Sequence, residues 1–418
     1  MRAGFSLAAA GFGLIAVCYG FARFAFGLFL PGINADLSLS PSVGGLIAGG
    51  SFLGYCVAIV LSAHLTERFG ARSVSIAAAL VAALGMTGIA LAPSALWLAP
   101  AVMLAGSSTG LASPPLAAAV SIALPPARRD PANTVINAGT SAGVMLSGPV
   151  ALLAGAQWRL AFAVFAATAC VMAVVVAFTV PGPARAEARA TEGAGLRHRL
   201  PVRLIVAAWL MGASSAALWS FGSELVALRL GWDGGEAGGL WVAIGIAGIV
   251  GAAAGRWVVR FGIDRVHGVF LGALALGTVL VGIGGTTPAL ALFGGALFGA
   301  AYITLTGVYL VWGVSALPDR PASGLMVGFL SIAIGQAAGA PAFGYLLERF
   351  PGDLAVLVFA GLAFLALFAR SVVIRRPVSR GIKKAPRRWS ARRLLDNRGG
   401  PVARRVSRPG RRPLRSRR

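Results

Sequence analysis

From residue 5 to residue 374 this chain is a succession of long apolar runs broken by short polar punctuation, and that pattern restricts its possible folds more than any other feature. Twelve runs are present, at 5–30, 43–63, 74–92, 95–124, 133–156, 160–180, 204–228, 237–259, 268–285, 289–315, 322–347 and 354–374. A bilayer core of about 30 Å needs roughly 20 apolar residues per helix, which is the length that recurs here. The composition agrees, with 57% apolar and only 12% charged residues in a chain of 418. Helices are the expected spans, because the runs lack the in–out alternation of barrel strands. The first run is expected to be a retained span. Its small-residue stretch, Ala8-Ala9-Ala10, precedes any apolar core that a cleaved leader would need. Cys18, Cys56 and Cys170 are scattered through the runs, which argues against a disulfide framework and against a metal site. The runs hold no phosphate-binding loop and no Cys/His/Asp cluster, so neither an enzyme nor a cofactor is expected.

The chain also repeats itself. Arg68-Phe69-Gly70 returns as Arg260-Phe261-Gly262, Pro126-Ala127-Arg128 as Pro318-Asp319-Arg320, and Gly143 with Pro149 as Gly335 with Pro341, each displaced by 192 residues. Gly44-Gly45-Leu46 returns as Gly238-Gly239-Leu240 at a displacement of 194. Four matches in sequence order at nearly one offset read as an internal duplication. In an apolar chain that is the mark of a transporter built from repeats, with its substrate site between them.

Charge gives the expected orientation. With the N-terminus in the cytoplasm, the interior loops hold fourteen arginines and the exterior loops three, Arg159, Arg229 and Arg349. Acids divide almost evenly, so arginine carries the bias, as the positive-inside rule requires. Residues 1–180 then form an N-terminal six-helix bundle, 181–203 a cytoplasmic linker, 204–374 a C-terminal six-helix bundle, and 375–418 a cytoplasmic tail. The tail carries eighteen Lys/Arg and one acid, Asp396, or +17 of the formal +24. It is expected to be disordered beside anionic lipid headgroups. Nucleic acid is not an expected partner, because only Trp389 supplies a stacking aromatic there.

The loop after the second run reads Ala63-His64-Leu65-Thr66-Glu67-Arg68-Phe69-Gly70-Ala71-Arg72. It resembles the signature G-x-L-A-D-[RK]-x-G-R-[RK] of the major facilitator superfamily, with Glu67 in place of Asp and Ala63 in place of the first Gly. The resemblance implies an all-α membrane protein of twelve helices in two pseudo-symmetric bundles. It also implies a cytoplasmic gate formed by Glu67, Arg68, Gly70 and Arg72, which the repeat, with Val259 in place of the acid, would make asymmetric. The fifth run, with Gly139, Gly143, Gly148 and Pro149, is similar to the Gly-rich fifth helix of the same superfamily, a packing surface with a bend. Gly20-Phe21-Ala22-Arg23-Phe24 looks like the G-x-x-R-F first helix of a poorly characterised bacterial branch.

An arginine inside a span costs about 2.5–3.5 kcal/mol at mid-membrane, so Arg23 either faces a cavity or partner, or snorkels outward. In this family the first, fourth, seventh and tenth helices line the cavity. By that resemblance Tyr19, Arg23, Ser107, Ser108, Ser215, Trp219, Tyr302, Thr306 and Tyr309 are the substrate-binding candidates. Glu224 is the one acid inside a run and the candidate for proton coupling, with snorkelling outward or pairing to Arg229 as the alternatives. His64, His198 and His267 all fall between runs, so no histidine relay is expected within the membrane. The expected function is secondary transport of a small organic solute across the plasma membrane by alternating access, with protons as a candidate coupling ion. A mostly apolar, aromatic cavity points to efflux of amphipathic compounds. Arg23 points to uptake or exchange of a small organic anion. A non-transporting membrane sensor on the same fold is the third reading.

Overall fold

The computed structural model describes residues 2–155, 157–182, 201–318 and 320–371. Most of the linker and all of the basic tail therefore lie outside the described residues, as does His198. Every regular element among the described residues is helical. Twelve helices follow the twelve apolar runs: α1 (Gly4–Leu37), α2 (Pro41–Phe69), α3 (Ala71–Ala90), α4 (Ala95–Ala123), α5 (Pro126–Ala154), α6 (Trp158–Thr179), α7 (Val202–Leu230), α8 (Gly234–Phe261), α9 (Ile263–Gly282), α10 (Pro288–Ala316), α11 (Pro321–Arg349) and α12 (Gly352–Ala366). The first eleven are long and apolar enough to cross a membrane.

Three expectations need correction. The twelfth run was expected to span fully, but α12 has only 15 residues, about 22 Å at 1.5 Å per residue. Its helical ladder gives way to tight turns at Leu367–Ala369, just before Arg370. Next, α2 continues past its apolar run to Phe69, so His64, Glu67 and Arg68 lie on the last turns of a helix and not in a loop. His267, finally, is not in a loop. Gly262 ends α8 at φ +86° and α9 begins at the next residue, which leaves His267 inside α9 and 2% exposed.

Local chemistry sets the helix ends. Ser40 caps α2 by accepting from the Val43 N–H, with Pro41 at the first helical position. Thr287 and Pro288 do the same for α10. Asp233 and Glu236 close a reciprocal capping box on α8. At the opposite helix ends, Gly70 and Gly262 adopt nearly the same conformation, φ 81° with ψ 158° and φ 86° with ψ 155°. Only glycine takes that conformation without strain. Arg68 lies over the Phe69 ring at 5.3 Å and Arg260 over the Phe261 ring at 5.2 Å. The repeated sequence is thus a repeated structure.

Successive helices alternate in direction. Gly70, Leu124, Val180 and Gly262 share one end of the bundle, here the RFG end; Asp36, Ser40, Asp233 and Thr287 share the other, the distal end. The extensive packing between the two repeats is α2 on α11 and α5 on α8, two pairings that the 192-residue offset exchanges. Both rest on missing side chains. A methyl group on Gly45 would meet the Ala340 carbonyl at 2.5 Å, and one on Gly238 the Gly148 carbonyl at 2.6 Å. Gly27 of α1 lies directly against the Trp219 carbonyl of α7. Such small residues let backbones approach closely, which is how helices associate in lipid. On the distal side, Asn34 Nδ2 donates to Glu224 Oε2 at 3.3 Å and the Ser42 N–H donates to Glu348 Oε2 at 3.0 Å. The repeats are therefore drawn together on that side.

Candidate functional site

The site begins with an irregular stretch of α1. Residues Ala16–Phe24 form a π-helix, a rare form that is frequent at functional sites. Gly20 within it sits against the backbone of Gly143, which fixes the stretch on α5. Tyr19 and Arg23 lie on this segment and both reach the seam between the repeats. Arg23 is 6% exposed, so it does not snorkel.

Arg23 Nη2 donates to Gln336 Oε1 of α11 at 2.7 Å. The amide's other end, Gln336 Nε2, donates to Ser215 Oγ at 3.2 Å and to Tyr302 Oη at 3.1 Å. Arginine has no acceptor, so the Gln336 oxygen must face it and the NH2 must face the two hydroxyls. One residue from each of α1, α7, α10 and α11 is thereby tied into a single polar knot. Arg23 and Ser215 are 192 residues apart. The duplication has placed a cation on one side of Gln336 and a neutral hydroxyl on the other.

Aromatic rings enclose this knot. The Arg23 guanidinium lies 4.5 Å from the Tyr55 ring centroid, 4.8 Å from Phe52, 5.1 Å from Phe24 and 5.9 Å from Tyr19. Trp219 stacks on Phe24 at 4.0 Å and meets Tyr302 edge-on at 5.1 Å. Tyr19 Oη and Ser113 Oγ of α4 share a hydrogen bond of 3.0 Å. A desolvated cation–π contact is worth about 2 kcal/mol, comparable to the cost of holding a guanidinium within a span. The ion pairs formed among the described residues, Arg159 with Asp36 and Arg229 with Asp353, leave Arg23 without a carboxylate.

The sequence candidates divide accordingly. Tyr19, Arg23, Ser215, Trp219 and Tyr302 come together around Gln336. Ser107, Ser108 and Thr306 bond to carbonyls of their own helices, at Leu104, Ala105 and Ile303. Tyr309 belongs to another cluster, where its hydroxyl donates to the Ala207 carbonyl at 3.1 Å and meets His267 Nε2 at 3.0 Å. Glu224 is paired with Asn34 and not with Arg229, which binds Asp353 at 2.6 Å. It stands nine residues beyond Ser215 on α7, about 13 Å along the axis, and is thus remote from the knot.

Glu67 and Arg68 are exposed, and Arg72 Nε donates to the Val180 carbonyl at 2.7 Å within its own repeat. Gly139 and Gly143 lie against the carbonyls of Phe12 and Ala16 in α1, while Gly148, one residue before Pro149, packs across the seam on α8. Sequence reasoning missed Gln336, Ser113, Tyr55 and Phe52. Gln336 did leave a signal: it is one of two glutamines in the chain and interrupts an apolar run.

The family model for the Major Facilitator Superfamily matches residues 12–332, more than half of the chain. The chain belongs to the major facilitator superfamily. Among curated proteins it is similar to a chloramphenicol efflux pump of Mycobacterium tuberculosis, at 29% identity over 312 residues, 68% of this chain and 71% of that protein. Among solved structures it is similar to the nucleoside transporter NupG, with a TM-score of 0.69 and 14% identity over 88% of this chain and 98% of that one. The inward-open xylose transporter XylE from E. coli gives a TM-score of 0.71 and 15% identity over 88% and 96%. Those two likenesses show the fold. As a superfamily member the chain is a multi-pass membrane transporter of small molecules.

Proposed function

We propose that this chain exports small amphipathic organic solutes by alternating access of two six-helix halves, 1–180 and 204–374. The observation that carries this reading is the aromatic enclosure around the Arg23–Gln336 knot at the seam. It offers flat apolar faces beside a few convergent polar groups, the usual composition of an organic-ligand site. Similarity to an efflux pump for chloramphenicol, an amphipathic compound, supports the direction. A second reading, uptake or exchange of a small organic anion, is favoured by the absence of a carboxylate beside Arg23.

Protons are the proposed coupling ion and Glu224 the proposed carrier. The carboxylate is half-buried at the distal seam and hydrogen-bonded across it by Asn34. Proton gain or loss there would weaken or restore a contact that exists in only one arrangement of the halves. Inverted membrane vesicles containing the protein should accumulate chloramphenicol or a similar amphipath when energised with a proton gradient. Glu224→Gln should abolish proton-driven accumulation and spare downhill exchange. Equal accumulation in vesicles with and without the protein, across a panel of amphipaths, would sink the export reading. Normal pH dependence in Glu224→Gln would remove this carboxylate from the coupling step.

The proposed setting is a plasma membrane with both termini in the cytoplasm and the RFG end inside. Glu67, Arg68, Gly70 and Arg72 then form a gate that pairs across the halves only when that end closes. Reporter fusions after Asp36 and Asp233 should read exterior, and one after Glu192 interior. An interior reading at Asp36 would overturn the topology.

A further inference from the structure

Beside Arg23 the structure holds a small, partly open cavity of about 10 Å³, lined by Arg23, Ser51, Trp219 and Ser220 together with apolar side chains and Gly27. Four buried polar atoms without a hydrogen-bond partner belong to those residues: Arg23 Nε, Ser51 Oγ, Trp219 Nε1 and Ser220 Oγ. Ser51, Trp219 and Ser220 are each 2% exposed. An unmade hydrogen bond at a buried polar atom is costly, and four such atoms on the residues that line one cavity call for a partner there.

The chemistry of these groups selects the partner. The Arg23 Nε–H and Trp219 Nε1–H donate and cannot accept, and the two hydroxyls are free to donate. Arg23 also brings a full positive charge, with an amide oxygen and aromatic faces around it but no carboxylate. A water molecule would satisfy the hydrogen bonds and leave the charge. An anionic atom satisfies both. The volume admits one atom of about the size of water, and the partly open side leaves room to widen for a chloride ion or a carboxylate oxygen. We propose that this cavity is a binding site for a single anionic atom, supplied by a free halide ion or by the carboxylate of a bound solute.

Arg23 and Ser51 come from one repeat, and Trp219 and Ser220 from the other. The anion therefore bridges the seam and favours the state closed on the distal side. The site goes beyond the export reading and stands whichever solute the transporter carries. Failure of solute export would leave the anion measurement readable.

The test uses the purified full-length chain in detergent. Its melting temperature is followed while chloride or acetate replaces methanesulfonate at constant ionic strength. A bound ligand raises the melting temperature in a saturable way. The expected result is a saturable rise of a few degrees that is lost in Trp219→Phe/Ser220→Ala, each protein being compared with its own anion-free baseline. The milder Ser220→Ala alone should shift the half-saturating concentration upward several-fold, so the reading does not depend on the double variant folding. Saturation by chloride identifies a free ion as the source. Saturation by acetate alone identifies a carboxylate. An equal or unsaturable response in wild type and variants means that the cavity holds water, and the proposal fails.

Discussion

Arg23→Ala should raise the KM for transported solute about 10- to 100-fold while the protein still inserts and purifies as a monodisperse species. The magnitude follows from the worth of a hydrogen bond to a charged group, about 1.5–3 kcal/mol. Arg23 is held by Gln336 and by aromatic faces, and it caps no helix and closes no loop. Its removal would also leave the Gln336 oxygen without its donor, which weakens the hold on Ser215 and Tyr302. Arg23→Lys keeps the charge and loses the planar fork, so it should recover only part of the affinity. Solute flux into proteoliposomes as a function of concentration reads both variants. An unchanged KM in Arg23→Ala would remove the knot from the binding site.

Alanine at the glycine seam should act on conformation more than on folding. Gly45→Ala and Gly238→Ala each place a methyl group against a carbonyl of the opposite repeat. Overpacking of this kind costs about 1–3 kcal/mol, which shifts the balance between the two arrangements roughly 5- to 150-fold away from distal closure. A cysteine at Ala48, a buried position on the cavity wall, reports the change in a background with Cys18, Cys56 and Cys170 replaced by serine. Its labelling by a maleimide added from the distal side should speed up in both glycine variants. Gly106→Ala and Gly299→Ala are the contrasting cases. Gly106 meets Ser51 and Gly299 meets Ile244, each inside one repeat, so these changes should lower the melting temperature without selective labelling. Unchanged labelling in Gly45→Ala and Gly238→Ala would mean that the seam is not what holds the distal side shut.

The succession of apolar helices and the duplication were legible because hydropathy and glycine placement are properties of the sequence itself. Arg68-Phe69-Gly70 and Arg260-Phe261-Gly262 carry their backbone angles with them, since few residues other than glycine tolerate φ near +80°. Arg23 was legible as a charge where none is cheap. Its partner was not. Gln336 lies 313 residues away, and no spacing rule links an amide on one helix to a guanidinium on another. The π-helical stretch was equally hidden, because Ala16–Phe24 is apolar enough to read as ordinary α-helix. His267 was misplaced because its helix starts before its apolar run, and loop position was inferred from hydropathy alone. Thr306 and Tyr309 were candidates because their helix lines the cavity in the family, yet Thr306 satisfies itself on its own backbone and Tyr309 turns toward α7 and α9.

Arg23 and Ser215 occupy matching places in the two repeats and hold opposite ends of one amide bridge. The rest of the knot is not repeated, since Val144 and Gly110 stand 192 residues before Gln336 and Tyr302, while glycine-to-backbone contacts keep the two repeats in register. The identity of the cargo can then drift at these few side chains while the machine that moves it stays intact. Substitutions at a few positions of a duplicated ancestor, Arg23 against Ser215 and Gln336 against Val144, give its central chamber a polarity. Diversity of cargo on a constant scaffold is the evolutionary outcome such an arrangement makes cheap.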